Sequence, residues 1–133
     1  MRLQIYKKEQ VPESYRKQMQ YLHRRTGLLY DYFAHRPHKT NRAVVLTDGD
    51  LVVGWGLFFV YSSGRPCFGL HIRRGYRKQG YGSRIMKKGY KIYKSWYSYY
   101  NSNKKLGIWG HDNISHKFFS KHEDQGMNLY DCG

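Results

Sequence analysis

One junction constrains this chain more than any other. An apolar run from Cys67 to Arg73 meets Arg77-Lys78-Gln79-Gly80-Tyr81-Gly82, and a long stretch with helical periodicity follows, from Ser83 to about Tyr100. In that stretch Ile85, Ile92, Trp96 and Tyr99 form one apolar face, while Lys87, Lys88, Lys91 and Lys94 fall largely elsewhere. The expected order is strand, glycine loop, helix. Glycines let the backbone approach a ligand closely and turn its amides inward. The helix start adds unsatisfied N–H groups and the positive end of its dipole. Together these make a cradle for a pyrophosphate, with the charge of Arg77 and Lys78 beside it. Taken alone, the hexapeptide also fits a plain connection that needs two glycines.

The flanking sequence supplies the frame. Leu3 and Ile5 alternate with polar neighbours, which predicts a short first strand. Pro12 stands where a helix could begin, and Tyr15, Met19 and Leu22 give that helix an apolar stripe ending near Gly27. Leu28 to Phe33 reads as a second short helix, and 35–39 as a loop around Pro37. Ala43 to Leu46, Leu51 to Tyr61 and Cys67 to Arg73 read as three strands joined by turns at Asp48-Gly49-Asp50 and at 62–66, an antiparallel meander. After the long helix come a strand at Leu106 to Trp109, a helix from Asn113 to Lys121 and a last strand from Met127 to Tyr130. Strands and helices share one core. The fold class is therefore α/β, or α+β, with a mixed, mostly antiparallel sheet flanked by helices. The length of 133 residues fits one domain, 1–133.

Composition narrows the partners. The chain carries 24 Lys and Arg against 9 Asp and Glu, a net charge of +15. Such an excess repels itself in the compact state and points to an anionic counterpart: nucleic acid, a phosphorylated cofactor, an acidic protein face or a membrane surface. A generally basic protein without a charge-selected partner stays open as well. The 14 Tyr must place many hydroxyls near water or a partner, because a buried unpaired hydroxyl is costly. Two cysteines, Cys67 and Cys132, have neither metal spacing nor a disulfide framework, which fits a reducing compartment. Met1 to Gln10 holds no apolar leader segment, and the apolar stretch Leu51 to Tyr61 is too short to span a bilayer. The expectation is a soluble cytoplasmic protein with no membrane partner. The seven histidines show no zinc pattern, and His35 and His38 lack further ligands, so no metal is expected.

Other phosphate loops do not match. There is no G-x-x-x-x-G-K-[ST] run. The dinucleotide pattern needs a third small residue where Ile85 stands. In the RNA-recognition signature Ser83 stands at a later position that needs an aromatic.

The segment Leu70-His71-Ile72-Arg73-Arg74-Gly75-Tyr76-Arg77-Lys78-Gln79-Gly80-Tyr81-Gly82-Ser83-Arg84-Ile85-Met86 resembles motif A of the GNAT superfamily of N-acetyltransferases. That motif runs approximately L-x-V-x-P-x-Y-R-G-x-G-x-G-x-x-L-L. Leu70, Ile72, Tyr76, Arg77, Gly80, Gly82, Ile85 and Met86 fall at matching positions, while Arg74 replaces the usual proline and Lys78 the first loop glycine. The order of elements is similar along nearly the whole chain. The resemblance implies acetyl-coenzyme A as cosubstrate and an N-acetyltransferase activity. It places the pyrophosphate on the backbone of Arg74 to Ser83 and the pantetheine beside Ile72 and Arg74. The implied cofactor-binding set is Ile72, Arg73, Arg74, Arg77, Lys78, Gln79, Gly80, Tyr81, Gly82, Ser83 and Asn113.

The resemblance also implies a general acid, often Tyr, on the helix after the fifth strand, and a base that takes the amine proton. The stretch His111-Asp112-Asn113-Ile114-Ser115-His116-Lys117-Phe118-Phe119-Ser120-Lys121 places Ser120 at the Tyr position in one register and Phe119 in the other. Phe has no proton to donate, and Ser offers only a hydrogen bond, so Ser120 is the candidate and Phe118 and Phe119 read as core. No carboxylate precedes the loop on its strand. His71 is the ionisable residue there with a near-neutral reference pKa and alternates with Leu70 and Ile72, so it faces the other side of the sheet. A surface or hydrogen-bonded core histidine is the alternative. His111 and Asp50 are further candidates for the base.

Two functions follow. One is acetyl transfer to a primary amine that is anionic or presented by an anionic partner, such as an acidic protein or an aminoacyl-tRNA. A basic peptide tail or a polyamine would be repelled. The other is a GNAT-like binding module without turnover that engages protein or nucleic acid through its basic face. Ile108 to His116 resembles small GNAT-like proteins of tailed phages, some of them virion components. The interleaved lysines and aromatics of 87–100 fit either a single-stranded nucleic acid surface or an amphipathic helix, with Tyr90, Tyr93 and Tyr97 undecided. The oligomeric state, a dimer included, stays open.

Overall fold

The computed structural model describes residues 1–22, 41–61, 63–100, 104–109 and 113–131. The expected second helix at 28–33 and the loop at 35–39 lie outside these residues.

Strand β1 (Arg2–Lys7) leads through a short 3-10 turn into α1 (Glu13–Leu22). The Pro12 carbonyl accepts the Arg16 amide at 2.9 Å, and proline is tolerated at this helix start because an N–H there would have no partner within the helix. Strands β2 (Arg42–Asp48), β3 (Leu51–Val60) and β4 (Pro66–Ile72) form the expected meander. The two-residue turn between β2 and β3 uses Gly49 at φ 59°. Helix α2 (Tyr81–Tyr100) follows the glycine loop, then β5 (Leu106–Trp109), α3 (Asn113–Asp124) and β6 (Leu129–Asp131). The sheet order is β1-β2-β3-β4-β5-β6. The first three pairings are antiparallel, and β4–β5 and β5–β6 are parallel.

Two boundaries differ from expectation for one reason. Gly126, at φ 89°, ends α3, with its amide bonded to the Glu123 carbonyl and that of Met127 to the His122 carbonyl. This paired pattern closes a helix end. It extends α3 beyond Lys121, commits Met127 to the cap and delays β6 to Leu129.

Each face of the sheet carries its own core. Helix α2 covers Val44, Leu46, Val53, Phe58 and Phe68 with Ile85, Met86, Tyr93 and Trp96. The expected apolar face is thus rotated: Met86 and Tyr93 lie in its centre and Ile92 at its half-buried edge. The other face packs Met19 of α1 with Ala43, Val45, Trp55, Leu57, Phe59 and Cys67. Helix α2 lies close to the sheet because Gly89 and Gly56 bracket the Phe68 ring; a Cβ on either would overlap it. That close approach fixes the height at which the helix start stands over the end of β4.

Candidate functional site

The site begins at the carboxyl end of β4. Pairing between β4 and β5 ends at Gly69↔Trp109, while β4 continues to Ile72. Leu70, His71 and Ile72 remain paired with β3 on one side. The described pairing with β5 stops at Gly69.

The loop after β4 is shaped by its own backbone. Gly75, Lys78 and Gly80 adopt φ values of 96°, 63° and 84°. Alternation of left-handed and ordinary residues turns successive amides to one side, a concavity suited to anions. Side chains brace it: Arg77 Nε donates to the Ile72 carbonyl at 3.1 Å, and Gln79 Nε2 to the Gly75 carbonyl at 3.3 Å. The Tyr76 amide donates to the Arg73 carbonyl at 3.0 Å, and the Tyr76 and Tyr81 rings flank the turn 6.5 Å apart.

Helix α2 takes its first bond from the Arg84 amide to the Gly80 carbonyl, at 3.2 Å. The amides of Tyr81, Gly82 and Ser83 therefore have no acceptor within the helix. A Cβ built on Gly80 meets nothing within 4 Å, so the space over the loop is open. Arg74, Arg77, Lys78 and Arg84 are all exposed around it. Free amides, open space and unopposed positive charge are what a pyrophosphate requires, and coenzyme A fits on these grounds.

Helix α3 forms the third wall. Its Phe118 ring lies 3.1 Å, and Ile72 3.8 Å, from where a Cβ on Gly82 would stand. Lys121 Nζ reaches Ser83 Oγ at 3.4 Å. His122 is fully buried, its Nδ1 2.8 Å from the Phe118 carbonyl and its ring 4.1 Å from that of Phe118. Burial lowers its pKa; the carbonyl bond opposes this, and the Lys121 and Lys87 charges add to the lowering. These α3 contacts were not legible in the sequence, since Phe118, Lys121 and His122 belong to no local motif there.

The expected residues divide. Ile72, Arg74 and 77–83 converge on the loop. Arg73 instead turns its side chain towards α1: Nε donates to the Val52 carbonyl at 2.8 Å and an Nη2 donor meets Gln18 Oε1 at 3.2 Å. What it offers the loop is its backbone. Gln18 also accepts the Val52 amide and donates to the Asp50 carbonyl, each at 2.8 Å, so α1, the β2–β3 turn and the end of β4 are tied together. Asn113 opens α3, its side chain outside the described part, as is His111.

His71 faces α1 and lies against the buried Trp55, ring centroids 4.8 Å apart. Ser120 is exposed on α3, whose Phe118 and Phe119 pack with the opposite core, as the sequence suggested. The two candidates thus lie on elements associated with different faces of the sheet. Tyr93 is core and donates to the Lys104 carbonyl at 2.6 Å, and Tyr90 accepts the Asn128 amide at 2.9 Å. Tyr97 stays exposed.

A mixed sheet with a glycine loop between its fourth strand and a core helix is the architecture of an acyl-coenzyme A acyltransferase. The model of the acetyltransferase (GNAT) family matches residues 3–123, and this chain belongs to that family. Solved structures share the fold at low identity. An acetyltransferase of Trypanosoma brucei aligns with a TM-score of 0.57 at 16% identity, over 91% of this chain and 89% of that one. A transcriptional regulator of Bacillus halodurans gives 0.55 at 15%, over 95% and 93%. An aminoglycoside N-acetyltransferase, AAC(6')-Iy, in complex with CoA, gives 0.53 at 11%, over 90% and 88%. No curated protein matches the sequence. No helix among the described residues is long and apolar enough to cross a membrane.

Proposed function

We propose that this chain binds acetyl-coenzyme A at Arg74 to Ser83 and transfers the acetyl group to a primary amine. The observation that carries the reading is the open cradle over Gly80, with the Tyr81, Gly82 and Ser83 amides left over by the first bond of α2. These amides would hold the pyrophosphate, with Arg74, Lys78 and Arg84 neutralising its charge. The backbone at the end of β4, Leu70 to Ile72, would lie beside the pantetheine. Bound there, acetyl-coenzyme A supplies an activated thioester carbonyl and a stable thiolate leaving group.

The proton chemistry falls to this chain's side chains. The His71 imidazole is the candidate base for the amine proton, held against Trp55 on the α1 side. Ser120 Oγ is the candidate hydrogen-bond donor on α3. The net charge of +15 favours an acceptor that is anionic or presented by an anionic partner, an acidic protein or an aminoacyl-tRNA. The competing reading, a module that binds without turnover, is supported by three features: Ser120 or Phe119, depending on register, in place of the usual Tyr, the lack of a carboxylate on the strand before the loop, and the small size of the chain.

Release of coenzyme A thiol, followed across a panel of amines, tests this. Amine-dependent release is expected, with His71→Ala lowering kcat at least about tenfold at unchanged KM for acetyl-coenzyme A. Binding of acetyl-coenzyme A with no amine-dependent release would leave the binding module as the function.

A further inference from the structure

The face of α2 turned away from the core holds only cations and small polar groups. Arg84, Lys87, Lys91 and Lys94 are exposed, Lys88 is half-buried beside them, and Ser95 and Ser98 complete the row. At about 100° per residue these positions fall within one third of the helix circumference, opposite Ile85, Gly89, Tyr93 and Trp96. The helix contains no acidic residue, and the sequence has none between Asp50 and Asp112. Among the described residues none of these cations forms an ion pair with a carboxylate. Helix α3 adds exposed Lys117 and Lys121, with exposed Glu123 and Asp124 towards its end.

Like charges this close repel one another, and an external polyanion relieves the repulsion. From Arg84 to Lys94 the row spans roughly 15 Å at about 1.5 Å per residue. A nucleic acid duplex presents about one phosphate charge per 1.7 Å of its axis. A single rigid row thus faces many phosphates. Among the described tyrosines from 87 onward on α2, Tyr93 is buried and Tyr90 packs against the core, while Tyr97 is exposed but lies off the row. This is a surface for backbone phosphate, not for unstacked bases.

We propose that the exposed face of α2 binds duplex nucleic acid through its phosphodiester backbone, without reading sequence. The surface shares Arg84 with the proposed coenzyme site, but Lys91 and Lys94 lie beyond it on α2 and carry the proposal independently of acetyl transfer.

The test is fluorescence anisotropy of the full chain with a labelled 20-base-pair duplex, as DNA and as RNA, and with a single strand of equal length. Salt is varied between 50 and 200 mM, with polyglutamate and anionic lipid vesicles as competitors. Neutralising about four or five phosphates gives a slope of roughly −4 in log K against log salt. K91A/K94A is expected to reduce that slope by about two units, while K7A/K17A, removing two exposed charges from β1 and α1, leaves it unchanged. K91A/K94A must retain the melting temperature and its response to acetyl-coenzyme A, which separates this result from failure of the cofactor site. The proposal is overturned by no duplex binding at 50 mM salt, by equal loss in both double variants, by tighter binding of the single strand, or by equal competition from polyglutamate or vesicles.

Discussion

The Arg84 amide donates to the Gly80 carbonyl at 3.2 Å, and this bond decides where α2 begins. It makes Gly80 both the last residue of the loop and the first acceptor of the helix, in a left-handed conformation at φ 84°. A Cβ there meets no atom, so only backbone strain opposes substitution.

Gly80→Ala is therefore expected to cost roughly 1–2 kcal/mol of stability, the penalty of a left-handed non-glycine residue. Gly80→Glu adds a carboxylate to the space reserved for phosphate, and should abolish acetyl-coenzyme A binding in a chain that still folds. Circular dichroism and calorimetric titration measure the two effects. Unchanged affinity in Gly80→Glu would remove Gly80 from the cofactor site.

Gly89 makes a different demand, for space. A Cβ at that position overlaps the Phe68 ring, itself pressed against Gly56. Gly89→Ala should cost about 1–3 kcal/mol through overpacking, despite the better helix propensity of Ala. Urea denaturation would show it, and a more stable variant would mean that α2 can rise from the sheet without penalty.

Arg73 tests the join between α1 and the sheet. Its bonds to the Val52 carbonyl and to Gln18 hold the end of β4 against the first helix. Arg73→Ala should lower stability by roughly 1–2 kcal/mol, and Gln18→Ala should lose less in the Arg73→Ala background than alone. Simple additivity of the two would show that the residues do not act together.

His122 gives the fold a pH dependence. Its pKa in the folded chain lies below the ordinary 6.5, chiefly through burial. The unfolded chain then takes up a proton at higher pH than the folded one. The contribution is full above about 6.5 and is lost as pH falls through the lowered folded value, at no more than about 1.4 kcal/mol per pH unit. His122→Leu should flatten the curve of stability against pH in this window. An identical curve would assign the acid sensitivity to other groups.

The sequence and the structure agree where the signals are local. Turn residues between apolar runs locate the meander, and the Gly80-Tyr81-Gly82 run locates the junction. Loop residues 74–83 were legible because glycine spacing reports backbone shape directly. Long-range contacts leave no such mark. Arg73 reads as one more loop cation until its partner Gln18, fifty-five residues earlier, is seen beside it. His122 sits in an unremarkable helical stretch, and only the fold reveals that Phe118 and the α2 start enclose it. The apolar face of α2 was read one step askew because Gly89, which carries no hydrophobic signal, lies at its centre.

The central claim is that the open loop over Gly80 holds acetyl-coenzyme A, and thermal unfolding with and without the ligand tests it most directly. Binding at about 100 times Kd should add roughly 2.7 kcal/mol and raise the melting temperature by several degrees. No shift at saturating ligand would contradict the account of the site while leaving the fold as described.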